Sequence, residues 1–323
     1  MLHTFRTYRT LLMLAALAVI AGCKSTTTDP VTYTQAIGLS VRNFPPSRPG
    51  ETYALWFGFP GGVAHAKTQS PQHSGTTKYR FVSRFTVDSY GKVHDFDTTG
   101  AAARIGYPFA LAEQADISVE IDTVINDTLP KAKLMVSDFT GTVHQGIASL
   151  TVNDDAALGY TFASFAGGYT LTPSHGAGNG TDLYLMNATS AANAQASIAD
   201  LPPLEEPWQY ALWAVDSGSG QTKNYYYGTF SAASGPDSDP TNDAFAFPGG
   251  RIPGDTTTAA LDLRNGTTSV YVTLEPGTTG MAPKLPFGVR LLGGVIPISA
   301  GFFTPTALKN TVVLPTATVI VNR

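Results

Sequence analysis

The chain has a single cysteine, Cys23, among 323 residues. No intrachain disulfide can therefore staple the fold, and no thiolate-rich zinc site can form. Beyond residues 11–21 no apolar run approaches the roughly 18–20 residues that cross a bilayer as a helix. No later segment sustains a 3.6-residue apolar period, which excludes a helical bundle. Charge is also scarce, at 14% of the chain. Setting aside residues 1–22, which hold Arg6 and Arg9, 18 basic residues face 24 acidic ones, a net charge of −6. That balance argues against nucleic acid as a partner and against a polybasic membrane surface.

Catalytic signatures are missing as well. There is no His-Glu-x-x-His, no Gly-x-Ser-x-Gly, no Ser-x-x-Lys with its partner motifs and no phosphate-cradling glycine loop before a helix. Past residue 22 the histidines are His65, His73, His94, His144 and His175. His65 and His73 read as loop residues. His94-Asp95-Phe96-Asp97 sets a base beside acids, but adjacent strand residues face opposite ways, which defeats the pairing. Glu205-Glu206 beside Pro207 reads as a solvated loop. No cofactor is expected, and the chain reads as a non-enzyme.

What is present begins at the N-terminus. Arg6 and Arg9 precede the apolar run Leu11–Ala21, followed by Gly22 and Cys23. A basic start and about 7–15 apolar residues make a secretory signal rather than a spanning helix. Ile20-Ala21-Gly22-Cys23 resembles the bacterial lipobox, which implies cleavage after residue 22 and lipidation of Cys23. Several acyl chains on one residue anchor firmly, at about 0.8 kcal/mol per buried methylene. Lys24 in place of an Asp points to the outer membrane. Residues 23–33 are polar and read as a flexible tether.

The rest of the chain is duplicated. Residues 39–56 and 196–213 align without a gap at an offset of 157, with seven identities in 18. These are Ser40/Ser197, Pro45/Pro202, Pro46/Pro203 and Tyr-Ala-Leu-Trp at 53–56 and 210–213. Downstream, Phe81–Val87 matches the stretch at Tyr227–Ser231, with an extra loop at 65–75 in the first copy. Ile117–Ile121 is set against Val270–Leu274, and Leu129-Pro130 against Leu285-Pro286. A fixed period of this kind signifies repeated structural units. The expected division is 1–22 signal, 23–33 tether, 34–166 first domain and 167–323 second domain.

Composition and periodicity indicate strands. Gly and Pro together number 54 residues, with aromatics at 11%, which suits short strands joined by turns. Leu39–Phe44 alternates until Pro45-Pro46, which cannot donate to a ladder. Tyr53, Leu55 and Phe57 share one face of the next strand, with Ala54 and Trp56 on the other. Both faces are apolar, as in a mid-sheet strand. Further strands are expected at 81–87, 117–124, 132–137, 147–152, 159–165 and 168–172. The second copy adds 181–187, 194–200, 225–231, 258–263, 269–275, 287–292 and 312–321. The expected fold is all-β: two tandem antiparallel β-sandwich domains of immunoglobulin-like character.

The second copy is similar to the extracytoplasmic C-terminal domain of the anti-sigma-K factor family. The likeness rests on Ile198–Leu204, Tyr210–Asp216, Gly228-Thr229-Phe230, Val272–Gly277 and Pro283, in that order. The first copy keeps Pro45-Pro46 and Tyr53–Trp56 but shows no Glu-Pro element. The resemblance implies a β-sandwich outside the membrane with a sensing or stabilising role. In that family a separate cytoplasmic domain and a spanning helix hold the sigma factor; here a lipoprotein signal stands in their place, so sigma binding is not expected.

Two features are candidates for binding. Asp237, Asp239 and Asp243 alternate in an acidic loop and offer the hard oxygen ligands calcium takes, though without an EF-hand's glycine and distal Glu. Tyr225, Tyr226 and Tyr227 offer stacking surfaces for a sugar or peptide. The expected function is a non-catalytic binding or structural role in the envelope, with the membrane reached through lipid and an unidentified protein or glycan partner. The alternatives are a stress-sensing component related to anti-sigma factors and an envelope hydrolase.

Overall fold

The computed structural model describes residues 36–60, 77–120, 129–142, 144–174, 180–218, 220–233, 254–255, 261–277 and 284–322. Cys23, His65, His73, His175 and the acidic loop with Asp237, Asp239 and Asp243 lie outside the described residues. The strands of the first repeat are β1 (Ile37–Arg42), β2 (Thr52–Phe59), β3 (Lys78–Val87), β4 (Val93–His94), β5 (Gln114–Glu120), β6 (Ala132–Asp138), β7 (Thr140–Gly141) and β8 (Gln145–Thr151). Then follow β9 (Gly167–Pro173), β10 (Thr181–Tyr184), β11 (Met186–Asn187), β12 (Gln195–Ala196), β13 (Trp208–Asp216), β14 (Lys223–Phe230), β15 (Gly254–Asp255), β16 (Thr268–Pro276), β17 (Arg290–Val295), β18 (Thr306–Asn310) and β19 (Thr316–Asn322). One five-residue α-helix, Ala101–Ile105, packs Ala101 and Ile105 inward. The fold is all-β, and its strands make two large antiparallel sheets in two tandem units.

The first sheet runs β1-β19-β8-β6-β5-β2-β3-β4, and the second runs β14-β13-β16-β17-β18-β9-β10-β15. The Tyr-Ala-Leu-Trp strands sit mid-sheet in both: β2 between β3 and β5, β13 between β14 and β16. Their two apolar faces are both buried, as alternation with no polar side requires. Tyr53, Leu55 and Phe57, with Tyr210 and Leu212, join a buried apolar cluster to which both repeats contribute.

The repeats agree residue by residue. Tyr53 and Tyr210 each donate a phenolic hydrogen to a carbonyl eight residues upstream, Pro45 at 2.8 Å and Pro202 at 2.7 Å. Each ring stacks on a phenylalanine of the next strand, Phe85 and Phe230, at 5.4 and 5.7 Å. Trp56 packs on Phe81, and Trp213 on Tyr226, each beside a β-bulge. Asn43 and Asp200, equivalent by the 157-residue offset, both take a left-handed φ, 57° and 53°. Short side chains with a polar tip tolerate that region best among non-glycine residues.

Three expectations are corrected. Residues 159–165 form no strand, and β18 arises where none was expected. The expected pairing of Ile117 with Val270 slips by two: Ile117 lies opposite Leu55, and Val272 lies opposite the equivalent Leu212. Glu120 then coincides with Glu275, so the first repeat does hold this glutamate. Ser118 and Thr273 each donate a hydroxyl to it, at 2.5 and 2.8 Å. The backbone N–H groups of Lys131 and Phe287 complete the two sites. Finally, β19, assigned by sequence to the second domain, lies in the first sheet between β1 and β8.

Candidate functional site: a cleft between the repeats

The repeats meet at a buried ion cluster. Arg48, on the loop between β1 and β2, forks onto Glu51, with one contact at 2.8 Å, and reaches Glu275 on β16 at 2.6 Å. The same guanidinium donates to the Leu285 carbonyl and lies 5.4 Å from the Phe287 ring centroid. Burial pulls the Arg48 pKa down, but the two carboxylates outweigh it and the net shift is upward. Burial raises the Glu275 pKa, with Arg48 opposing. Next to this cluster, a Cβ on Gly288 would stand 2.6 Å from Pro45 Cβ, so only glycine allows the approach.

Beside the boundary opens a cleft of about 430 Å³. The first repeat supplies Lys131, Lys133 and the turn 155–160; the second supplies Pro203, Glu205, Glu206 and Trp208. Trp208 Nε1 donates to the Lys133 carbonyl at 2.9 Å, which fixes one wall to the other. Pro130, Pro203 and Pro207 stiffen the rim.

Behind Lys133 lies the most perturbed carboxylate of the first sheet. On β5, Ala115, Ile117 and Val119 point to the core, and Gln114, Asp116, Ser118 and Glu120 take the other face. Asp116 is fully buried opposite Trp56. A β-bulge between Ile117 and Ser118 sets Lys133 opposite Ser118, and its ammonium lies 3.0 Å from Asp116. Lys133 also donates to the Tyr79 hydroxyl at 2.5 Å, and Tyr79 donates to Gln114 at 3.2 Å. Desolvation pushes the Asp116 carboxyl up to about 6, against the pull of Lys133. Burial lowers the Lys133 pKa, but Asp116 and Tyr79 more than reverse this. In the second repeat Arg290 occupies the position of Lys133 and stacks 4.1 Å from the centroid of Tyr271, which replaces Asp116. A cation at this bulge is common to both repeats; its anionic partner is confined to the first.

The residues singled out from sequence fall elsewhere. Tyr225, Tyr226 and Tyr227 do not share a face: Tyr227 is buried in the core, Tyr225 packs against it, and Tyr226 covers Trp213 at 5.1 Å. His94 is exposed and pairs with Asp88 at 2.9 Å rather than with Asp95 or Asp97. Asp88 is held below the usual carboxylate range by that bond and by the Lys92 and Tyr90 amides. Glu205 and Glu206 are exposed, as a loop position implies, but they rim the cleft. Asp116, Lys133 and Tyr79 escaped notice in the sequence, where Tyr79 and Asp116 lie 37 positions apart. One signal was available: an Asp within the alternating run Ala115-Asp116-Ile117-Ser118-Val119.

Among the described residues no three His, Cys, Asp or Glu side chains converge as a metal site, and no helix is long and apolar enough to cross a membrane. No family model matches the chain, and no curated protein or solved structure compared with it does either.

Proposed function

We propose that the chain is a lipid-anchored protein of the bacterial envelope, acylated at Cys23, with a non-catalytic binding role. The cleft between the repeats is its ligand-facing surface. The observation that supports this reading is the make-up of the cleft. Its half-buried charge, Lys133, is already paired with the buried Asp116 and held by Tyr79, which suits a rigid wall rather than a mobile catalytic group. The rim offers the exposed carboxylates of Glu205 and Glu206 and the lysine Lys131, groups that hydrogen-bond to an envelope glycan or protein. The lipobox-like Ile20–Cys23 supports attachment through lipid, and Lys24 in place of an Asp supports the outer membrane as its place.

Two measurements test it. Radiolabelled palmitate should enter the wild-type chain and not Cys23→Ala. Purified cell-wall sacculi and an array of envelope glycans should retain the protein, with retention lost in Glu205→Lys/Glu206→Lys. Absence of label, or equal retention of the charge-reversed variant, would count against the reading.

A second reading, a stress-sensing relative of the anti-sigma-K factors, draws on the Glu275-Pro276 end of β16 and the Tyr-Ala-Leu-Trp strand. It predicts co-encoding with a sigma factor or a membrane kinase. A third, an envelope hydrolase, draws on Asp116 at about 6 beside Lys133; Asp116→Asn would then abolish turnover of cell-wall material while binding persisted.

A further inference from the structure

We infer that the fold is a reciprocal strand exchange between the two repeats, and that the slot between β1 and β8 is a recognition surface for the last strand of a second copy of this repeat. The register carries the argument. Val136 faces Thr151 in the first sheet, and Gly293 faces Lys309 in the second. These pairs make β8 and β18 equivalent at an offset of 157–158, the spacing of the Tyr-Ala-Leu-Trp motifs. Arg42 then faces Thr316, as the equivalent Ala199 faces Ala166. Thr316 faces Thr151 on the other side, and the β9–β18 ladder, Gly167 against Leu308, runs in the same register. By all three ladders β19 corresponds to β9.

Chain order and sheet order part at the same place in both repeats. β9 follows β8 in sequence yet pairs with β18; β19 follows β18 yet pairs with β8. Each repeat therefore completes the other's sheet with its own last strand. The slot taken by β19 is specific. Its backbone pairs along both edges, with Thr316–Asn322 against β8 and Thr316–Val321 against β1. Ala317, Val319 and Val321 enter the core at 5%, 0% and 0% exposure. Main-chain pairing supplies affinity and the alternate side chains supply specificity, as in strand addition generally. A five-residue link, 311–315, joins β18 to β19. It holds the strand at a high effective concentration, so the occupant in the intact chain is its own.

The test keeps the whole chain. A protease site is placed in 311–315, the folded protein is cut, and the product is unfolded and diluted into buffer with excess fluorescent peptide spanning 312–323. Near-stoichiometric incorporation is expected, with about tenfold less for a Val319→Asp/Val321→Asp peptide, because a charge cannot be buried there unpaired. Native circular dichroism without label would overturn the inference. So would release of the 316–323 piece on cutting with no loss of native signal. Failure of the cut chain to refold with excess peptide, where the uncut chain refolds, would do the same.

Discussion

Arg48 of the first repeat and Glu275 of the second meet at 2.6 Å with side chains 10% and 3% exposed, and Glu51 closes the other side of the guanidinium. A buried pair of this kind adds little over an apolar replacement, but removal of one partner strands the other charge. Arg48→Met should therefore cost about 3–5 kcal/mol. The Arg48→Met/Glu275→Gln double variant should cost clearly less than the two single changes together. Urea midpoints measure both. A loss below about 1 kcal/mol in the single variant would show the cluster to be solvated.

The carboxyl of Asp116 sits at about 6 in the folded chain against 3.8 as the ordinary value. Between those limits the folded state binds more protons than the unfolded one, so stability falls as pH rises from about 4 to 6 and stays lower above. The difference amounts to at most about 3 kcal/mol. Asp116→Asn should remove this slope. Denaturant unfolding of wild type and variant at pH 4, 5, 6 and 7 makes the comparison, and parallel curves would refute it. Carboxylates shifted the other way, such as Asp216 and Asp262, are common to both proteins and cancel in the difference.

Tyr53→Phe and Tyr210→Phe each delete one hydroxyl that donates to a proline carbonyl in equivalent surroundings. Each should lose about 1 kcal/mol, and because the two sites share no hydrogen-bond partner, the double variant should lose the sum. Thermal and urea unfolding report both; a marked inequality would mean that the repeats differ in packing despite their common register.

Gly288→Ala drives a methyl group to 2.6 Å from Pro45 Cβ and 3.2 Å from its Cα, both on a stiff ring. Overpacking at this contact should cost about 1–3 kcal/mol. Limited proteolysis should then show earlier cutting in the Pro45–Gly50 loop than in wild type. An unchanged cleavage pattern would mean the loop yields without penalty.

How far the sequence reached depends on the length scale. The duplication was legible because Pro-Pro and Tyr-Ala-Leu-Trp recur with fixed spacing and each residue has a local reason: proline ends a ladder, and alternate apolar groups fill two buried faces. The pairing of Ile117 with Val270 failed by two residues for an equally local reason. Strand periodicity is two, so a slip of two preserves the alternation and only the ladder distinguishes the registers. That slip concealed the shared glutamate, Glu120 and Glu275. The tyrosine run divides because adjacent residues on a strand diverge, sending Tyr227 into the core and Tyr226 onto Trp213.

The amino-acid sequence by itself determined the strand-rich character, the two-fold repetition and the mid-sheet placement of the Tyr-Ala-Leu-Trp strands, all consequences of apolar pattern and turn chemistry over a few residues. Only the tertiary structure decided that β9 and β19 change places, that Arg48 faces Glu275, and that Asp116 lies against Lys133 behind a cleft. Those arrangements depend on which strand edges pair across more than a hundred residues of chain, and an edge's free N–H and C=O groups look the same to any partner until packing selects one.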